Sequence, residues 1–301
     1  MSDHLTRDYI KLHFIVFIWG FTAILGKLIS IPSVEIVFYR VLIAALALAV
    51  MLKVKGMNFN LGWKDIAAIT ATGFVIAAHW ILFFASAKVS TVSVCLAGMA
   101  TATLFTSILD PLFNRRPIRL YEVMLGLVVI AGLYIIFRFE LDQALGLVLA
   151  LISAFLAALF TVINSRLTKR HNHYMITFYE MSGATLGIAL FFPIYTTYFT
   201  DGVLQLSPTA EDWLYIGIIS LVCTVYAYSI SVELMKRLTA FAVNLAINLE
   251  PVYGIALAVI ILNEDEKMNS GFYLGTLVIL LSVLAYPVMN RWRKRRALKK
   301  A

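Results

Sequence analysis

The chain has 301 residues, of which 61% are hydrophobic and 14% charged, with a net charge of +8 and a mean hydropathy of +0.87. An ordinary soluble domain is roughly 25% charged, and a soluble fold of this length has too much surface to hide so many apolar side chains. The composition therefore excludes a soluble protein and predicts an all-α integral membrane protein, and the Lys and Arg residues lie mostly in short loops rather than in a nucleic-acid-binding patch.

Ten apolar runs are long enough to cross the hydrocarbon core of a bilayer, which takes about 20 helical residues. They cover approximately residues 11–30, 34–52, 65–86, 90–112, 120–137, 144–165, 174–197, 213–234, 240–262 and 271–290. The connecting segments are short, and the first run lacks a signal-peptide cleavage site. The chain is thus predicted to form ten transmembrane helices, the first of which is retained.

The distribution of Lys and Arg predicts the orientation. If the N-terminus is cytoplasmic, most of these residues fall in cytoplasmic loops, and several more fall in the segment 291–301. Cytoplasmic loops carry an excess of Lys and Arg. We therefore expect both termini to be cytoplasmic (N-in and C-in), with 291–301 as a basic cytoplasmic tail.

The chain contains an internal repeat. A Lys-x-x-Thr motif that begins at Lys88 recurs at Lys236, and a Phe-Tyr pair precedes both Arg40 and Glu180. The two repeats cover residues 11–137 and 144–290. Because each repeat holds five spans, an odd number, the second copy enters the membrane from the opposite side. Two five-helix inverted repeats are typical of secondary transporters, whose substrate site lies near mid-membrane.

Several short motifs carry a family resemblance in their order and spacing. They are Trp19-Gly20 in the first span, Arg40 in the second, and L-E-P-V-Y-G followed by an apolar run, Asn and Glu over Leu249–Glu264. With the ten spans, this pattern resembles the EamA branch of the drug/metabolite transporter superfamily. The resemblance implies export or exchange of small metabolites, such as amino acids, across the cytoplasmic (inner) membrane.

Polar side chains within spans are the first candidates for function, because they are costly in a bilayer. Arg40 is suited to bind a substrate carboxylate, or alternatively to bond carbonyl groups at helix ends. Glu180 could partner an amine or a proton, and its depth argues against a direct salt bridge to Arg40. His79 could line the cavity, change protonation during transport, or cap a helix kink.

The ninth predicted span carries a polar face. In a continuous helix Asn244, Asn248 and Pro251 share one side, while Glu250 is turned elsewhere. Pro251 removes the bond to the carbonyl group four residues back and predicts a helix kink. The two Asn residues either line the cavity or form hydrogen bonds between helices.

Deep aromatic residues complete the candidates, either as a wall of the cavity or as plain helix packing. The substrate-cavity candidates are Trp19, Arg40, His79, Trp80, Glu180, Tyr226, Asn244 and Asn248, and Tyr228 is a further deep aromatic residue.

The alternatives to a carrier are an enzyme and a channel. The spans offer no nucleophile with its base and no metal cluster, so neither catalysis, a metal nor a cofactor is expected. We predict a secondary transporter that exports or exchanges small metabolites, amino acids or related compounds, by alternating access around a mid-membrane cavity. The alternative is a passive channel or facilitator. The expected partners are a small-molecule substrate and the lipid bilayer, with proton coupling and oligomeric state left open.

Overall fold

The protein is built from helices joined by short connections. The computed structural model describes residues 3–137, 143–261 and 270–298. In chain order the helices are α1 (Asp3–Gly20), α2 (Thr22–Leu28), α3 (Ser33–Val54), α4 (Trp63–Val89), α5 (Val92–Met99), α6 (Ala102–Asn114), α7 (Leu120–Phe137), α8 (Ala144–Leu167), α9 (His173–Phe199), α10 (Ala210–Ile218), a π-helical segment (Ile219–Tyr228), α11 (Ser229–Leu234), α12 (Ala240–Ile247), α13 (Glu250–Ile261) and α14 (Ser270–Leu298). These ranges contain no strand, which confirms the predicted all-α class.

Seven helical stretches in the described ranges are long and apolar enough to cross a membrane. They are Leu5–Leu28, Ser33–Val54, Trp63–Val89, Val92–Asn114, Ala144–Leu167, His173–Phe199 and Ala210–Leu234. Two shorter apolar helices, Leu120–Gly132 and Tyr273–Ser282, lie in the fifth and tenth predicted spans, and α12 and α13 divide the ninth. A multi-pass membrane protein is thus confirmed. The count of ten spans, the inverted repeats and the cytoplasmic termini stay predictions.

The outer faces of the helices are apolar, as a lipid environment requires. Leu46, Val50, Leu112 and Leu190 are each at least 60% exposed although they are large hydrophobic side chains. A soluble protein rarely exposes contiguous apolar patches of this kind. These faces therefore suit contact with lipid tails.

Helices α4 and α9 cross at two glycine residues. A Cβ atom at Gly73 would overlap the carbonyl oxygen of Glu180, and a Cβ atom at Gly183 would overlap that of Thr70. Small residues let transmembrane helices approach this closely. The crossing packs the helix that carries Glu180 against the helix that carries His79.

Several of the helical stretches are interrupted rather than continuous. Helix α1 gives way to α2 at Phe21, α5 to α6 at Ala100 and Thr101, and α12 to α13 at Asn248 and Leu249. A fourth stretch, from α10 to α11, passes through the π-helical segment. Non-helical backbone at membrane depth is tolerated only where protein or a cavity surrounds it. The interruptions therefore point to the interior of the bundle.

The interruption between α12 and α13 follows from the local sequence. The N–H groups of Asn248 and Leu249 bond carbonyl groups three residues back, which tightens the end of α12. Pro251, the second residue of α13, has no N–H to offer the carbonyl group of Ile247. The interruption thus directly precedes the proline from which we predicted a kink. The side chain of Pro251 and the end of its motif, residues 263–264, lie outside the described part.

Candidate functional site

A cavity of about 80 Å³ lies where the interrupted helices meet. One water molecule needs about 10–15 Å³ of cavity volume measured in this way, so the cavity has room for several water molecules. Its lining comes from both predicted repeats and consists of Trp19, Thr22, Arg40, His79, Trp80, Phe83, Met99, Ala102, Ala157, Phe160, Thr161, Tyr228, Ser231, Met235, Asn244, Ile247 and Glu250. Discontinuous helices around a cavity are the usual construction of a transporter's binding site.

Arg40 brings a buried positive charge to this cavity. Its Nε donates a 2.8 Å hydrogen bond to the hydroxyl of Thr224, and its guanidinium carbon lies 3.8 Å from the ring centre of Trp80. The side chain is 2% exposed, yet Nη1 has no hydrogen-bond partner. No ion pair of Arg40 occurs among the described side chains. Arg40 therefore bonds a hydroxyl rather than helix-end carbonyl groups, and it keeps a donor free.

Glu250 brings a negative charge to the same cavity. Reasoning from a continuous helix turned this residue away from Asn244 and Asn248, and that reasoning was wrong. Because α12 ends at Ile247 and α13 starts at Glu250, the interruption resets the helical register. Glu250 then lines the cavity together with Asn244, while Asn248 does not. Within the described residues Glu250 has no ion pair.

His79 lines the cavity but is held by Ser153 of α8. Its Nδ1 lies 2.9 Å from the carbonyl oxygen of Ser153 and 2.8 Å from the hydroxyl oxygen, and that hydroxyl donates to the carbonyl group of His79. A carbonyl oxygen can only accept, so this geometry favours a proton on Nδ1. Ser153 thus fixes the ring orientation and leaves Nε2 as the nitrogen for other contacts.

Some of the aromatic candidates line the cavity, and one lies on the surface of the protein. Trp19 and Trp80 line the cavity with Tyr228, which was recognised in the sequence as a deep aromatic residue. The indole N–H of Trp19 donates to the carbonyl oxygen of Cys223 at 3.0 Å, which locks the ring. Tyr226 lies outside the cavity and is 48% exposed. Tyr226 was a candidate because it lies deep in the eighth predicted span, but depth alone does not show which side of a helix faces inward.

Asn244 and Asn248 both form hydrogen bonds between helices. Asn244 donates to the hydroxyl of Thr106 at 2.6 Å and accepts from that of Thr161 at 3.3 Å. Asn248 donates to Thr103 at 2.7 Å. Asn244 also lines the cavity, whereas Asn248 is buried outside it.

Glu180 is the third candidate that lies outside the cavity. It is completely buried in α9 and accepts a 3.0 Å hydrogen bond from the hydroxyl of Tyr228. The sequence-derived candidates that line the cavity are therefore Trp19, Arg40, His79, Trp80 and Asn244, and those outside it are Glu180, Tyr226 and Asn248.

Some lining residues had no signal in the sequence. Phe160, Thr161 and Ala157 of α8 look like ordinary residues of an apolar span, and Met99 does likewise. Glu250 had a signal, because an acid in an apolar run is costly, and it was misplaced only by the assumed helix continuity.

Comparison with known proteins identifies the family and agrees with the fold. The model of the EamA-like transporter family matches residues 9–138 and 144–286. The uncharacterized transporter YxxF of Bacillus subtilis (strain 168) is 24% identical over 268 residues, which cover 85% of this chain and 82% of that protein. A crystal structure described only as that of a protein has a TM-score of 0.69 at 13% identity, covering 93% of this chain and 96% of its own. The chain is thus a membrane transporter, and it belongs to the EamA-like transporter family of the drug/metabolite transporter superfamily.

Proposed function

We propose that this transporter exports or exchanges small zwitterionic metabolites, amino acids above all, by alternating access around the cavity. One observation carries the proposal. Arg40 and Glu250 line the same cavity with opposite charges, and no ion pair joins either of them to a described side chain. A solute with one carboxylate and one ammonium group would satisfy both.

The chemistry of each group suits this role. The free Nη1 of Arg40 can donate to a carboxylate, and a charge-assisted bond of this kind is stronger than a neutral one. Glu250 can accept from an ammonium group. Trp80 and Phe160 provide apolar surface beside these charges, and Tyr228 provides a ring with a polar edge.

Contacts at both ends of the helices support alternating access. At one end Arg237 donates two hydrogen bonds to Asp8, of 2.6 and 2.8 Å. At the other end of the first span, the backbone N–H and hydroxyl of Ser30 donate to Asp212 at 2.7 and 2.6 Å. The first contact joins α1 to the second predicted repeat, and the second contact joins the two predicted repeats. Opening one end and then the other requires these contacts to break in turn.

The test is exchange in proteoliposomes that contain the purified protein and a mixture of radiolabelled L-amino acids. A carrier gives saturable flux that accelerates when unlabelled amino acids are present on the opposite side. Flux that rises linearly with concentration, without acceleration, would instead support a passive channel and refute the carrier.

A further inference from the structure

Glu180 belongs to a buried polar cluster that the cavity does not use directly. The Tyr228 hydroxyl donates to Glu180 Oε2 at 3.0 Å and accepts from Nδ2 of Asn164 at 2.8 Å. Glu180 and Asn164 are both 0% exposed. These three side chains bring together α8, α9 and the end of the π-helical segment.

Two oxygen atoms of this cluster are incompletely satisfied. Glu180 Oε1 and Asn164 Oδ1 are buried and have no hydrogen-bond partner. A carboxylate buried in this way is costly unless a positive charge or further donors compensate it. The cluster is therefore rich in acceptors and poor in protons.

The neighbouring elements do not supply the missing positive charge. Arg40 on α3 and His79 on α4 are the charged or titratable side chains that those helices place at the cavity, and neither forms a hydrogen bond or an ion pair with Glu180. The π-helical segment contributes Tyr228, whose hydroxyl already donates. Glu233 on α11 pairs with His173 and Arg237 at the helix ends instead.

The cluster is physically linked to the substrate cavity. Tyr228 both bonds Glu180 and lines the cavity. Four residues earlier in the π-helical segment, Thr224 accepts from Arg40, and its own hydroxyl donates to the carbonyl group of Ile219, five residues back. Short π-helical segments are often found at functional sites. The π-helical segment thus forms hydrogen bonds with both Arg40 and Glu180.

We infer that Glu180 is a proton-binding site whose occupancy is coupled to the substrate cavity through Tyr228 and the π-helical segment. Binding places one proton on Glu180 Oε1 and converts the carboxylate to a neutral carboxylic acid, and release reverses this step. Coupling arises because proton and solute each bias the same segment, so that each changes the affinity for the other. The inference rests on the proposed function in one respect: the coupling is detected with amino acids, the proposed solutes.

A proton fits this cluster better than the other cations. Sodium would need several oxygen ligands at once, whereas the cluster offers two free oxygen atoms. A substrate ammonium group would have to reach Glu180, which does not line the cavity.

The proton site can be tested without knowing the substrate. Infrared difference spectra of the purified protein, titrated across the neutral pH range, should contain a carboxylic acid band that is absent in Glu180→Gln. The band should persist in Glu250→Gln and in Glu211→Gln, which removes an exposed carboxylate. Identical spectra for Glu180→Gln and Glu211→Gln would overturn the inference, whether or not amino acids are transported.

The coupling is tested with radiolabelled L-amino acids in proteoliposomes. Glu180→Gln should lose flux driven by a pH gradient and retain exchange at equal pH on both sides. Tyr228→Phe, which removes only the linking hydroxyl, should weaken the response to the pH gradient, and Glu211→Gln should behave as the wild type. Retained exchange also shows that Glu180→Gln is folded.

Two results in this assay contradict the inference. One is a Glu180→Gln protein that keeps its full response to the pH gradient. The other is a wild-type protein that is driven by a sodium gradient and not by a pH gradient. Absence of amino-acid flux in the wild type would refute the proposed substrate class instead, while the infrared titration still decides the proton site.

Discussion

Arg40 and Glu180 occupy matching places in the two predicted repeats, each directly after a Phe-Tyr pair, yet they meet different surroundings. Both are buried, and both bond a hydroxyl group of the same π-helical segment, through Thr224 and Tyr228 respectively. Arg40 opens onto the cavity, whereas Glu180 is sealed behind Tyr228. We therefore propose separate roles for these matching positions, Arg40 toward the solute and Glu180 toward a proton.

The difference shows what decides the role of a charged residue in a membrane. The cost of placing a charge in a span is similar at both sites, so cost alone does not separate them. Access separates them, because Arg40 lines the cavity and Glu180 does not. The variants below should break or sharpen this contrast.

The largest effect is expected for Arg40→Ala. In the proposed complex Arg40 pairs with the carboxylate of the solute. Removing one partner of such a buried charge pair costs about 2–5 kcal/mol, which is roughly a 30-fold or greater loss of solute affinity. Amino-acid exchange should therefore be lost at ordinary concentrations. Arg40→Lys keeps the charge without the planar fork and should give an intermediate loss.

The control for this prediction is Arg170→Ala, which removes an exposed arginine between α8 and α9. We expect it to exchange amino acids like the wild type. If Arg40→Ala binds and exchanges as well as this control, Arg40 does not hold the solute.

Glu250→Gln should have the next largest effect, and a selective one. Losing a charged hydrogen bond costs about 1.5–3 kcal/mol, roughly a 10- to 150-fold loss of affinity for an amino acid. The affinity for carboxylic acids that lack an amine should not change. Competition assays with both kinds of solute measure the ratio, and an equal loss for both would remove Glu250 from amine recognition.

A structural change near Glu180 should lower the stability of the protein and leave the side chains proposed to bind the solute in place. Gly73→Ala inserts a methyl group against the carbonyl oxygen of Glu180, and overpacking of this kind costs about 1–3 kcal/mol. Gly217→Ala is the matched control, because nothing lies within 4 Å of its added Cβ atom. Thermal unfolding in detergent should separate the two variants, and equal midpoints would contradict the tight crossing of α4 and α9.

The smallest effect is expected for Asn248→Ala. Its hydrogen bond to Thr103 is worth about 0.6 kcal/mol, the average for such bonds between transmembrane helices. Stability should fall slightly and substrate affinity should stay unchanged, because Asn248 is outside the cavity. A marked loss of affinity in exchange assays would show that Asn248 reaches the solute.

Much of the fold and part of the site could be predicted from the sequence. Long apolar runs dictate membrane helices, and a charge within such a run stands out, as Arg40 does. Trp19 and Trp80 were similarly visible because they are large aromatic residues deep in their spans.

The remaining site residues depend on backbone details that periodicity does not reveal. The inward turn of Glu250 requires the interruption before α13, and whether Tyr226 or Tyr228 faces the cavity depends on how their segment packs. Phe160 carries no signal, because an aromatic residue in an apolar span is ordinary. Those residues emerge only when the helices are packed together.

The central claim, that Arg40 and Glu250 together recognise a zwitterion, is tested most directly by competition in wild-type proteoliposomes. A radiolabelled L-amino acid that exchanges is challenged with the same unlabelled amino acid, with its amide, which lacks the carboxylate, and with its deaminated acid. We expect strong competition from the amino acid and weak competition from both analogues. Equal competition by either analogue would contradict the claim, because one of the two charges would then contribute nothing.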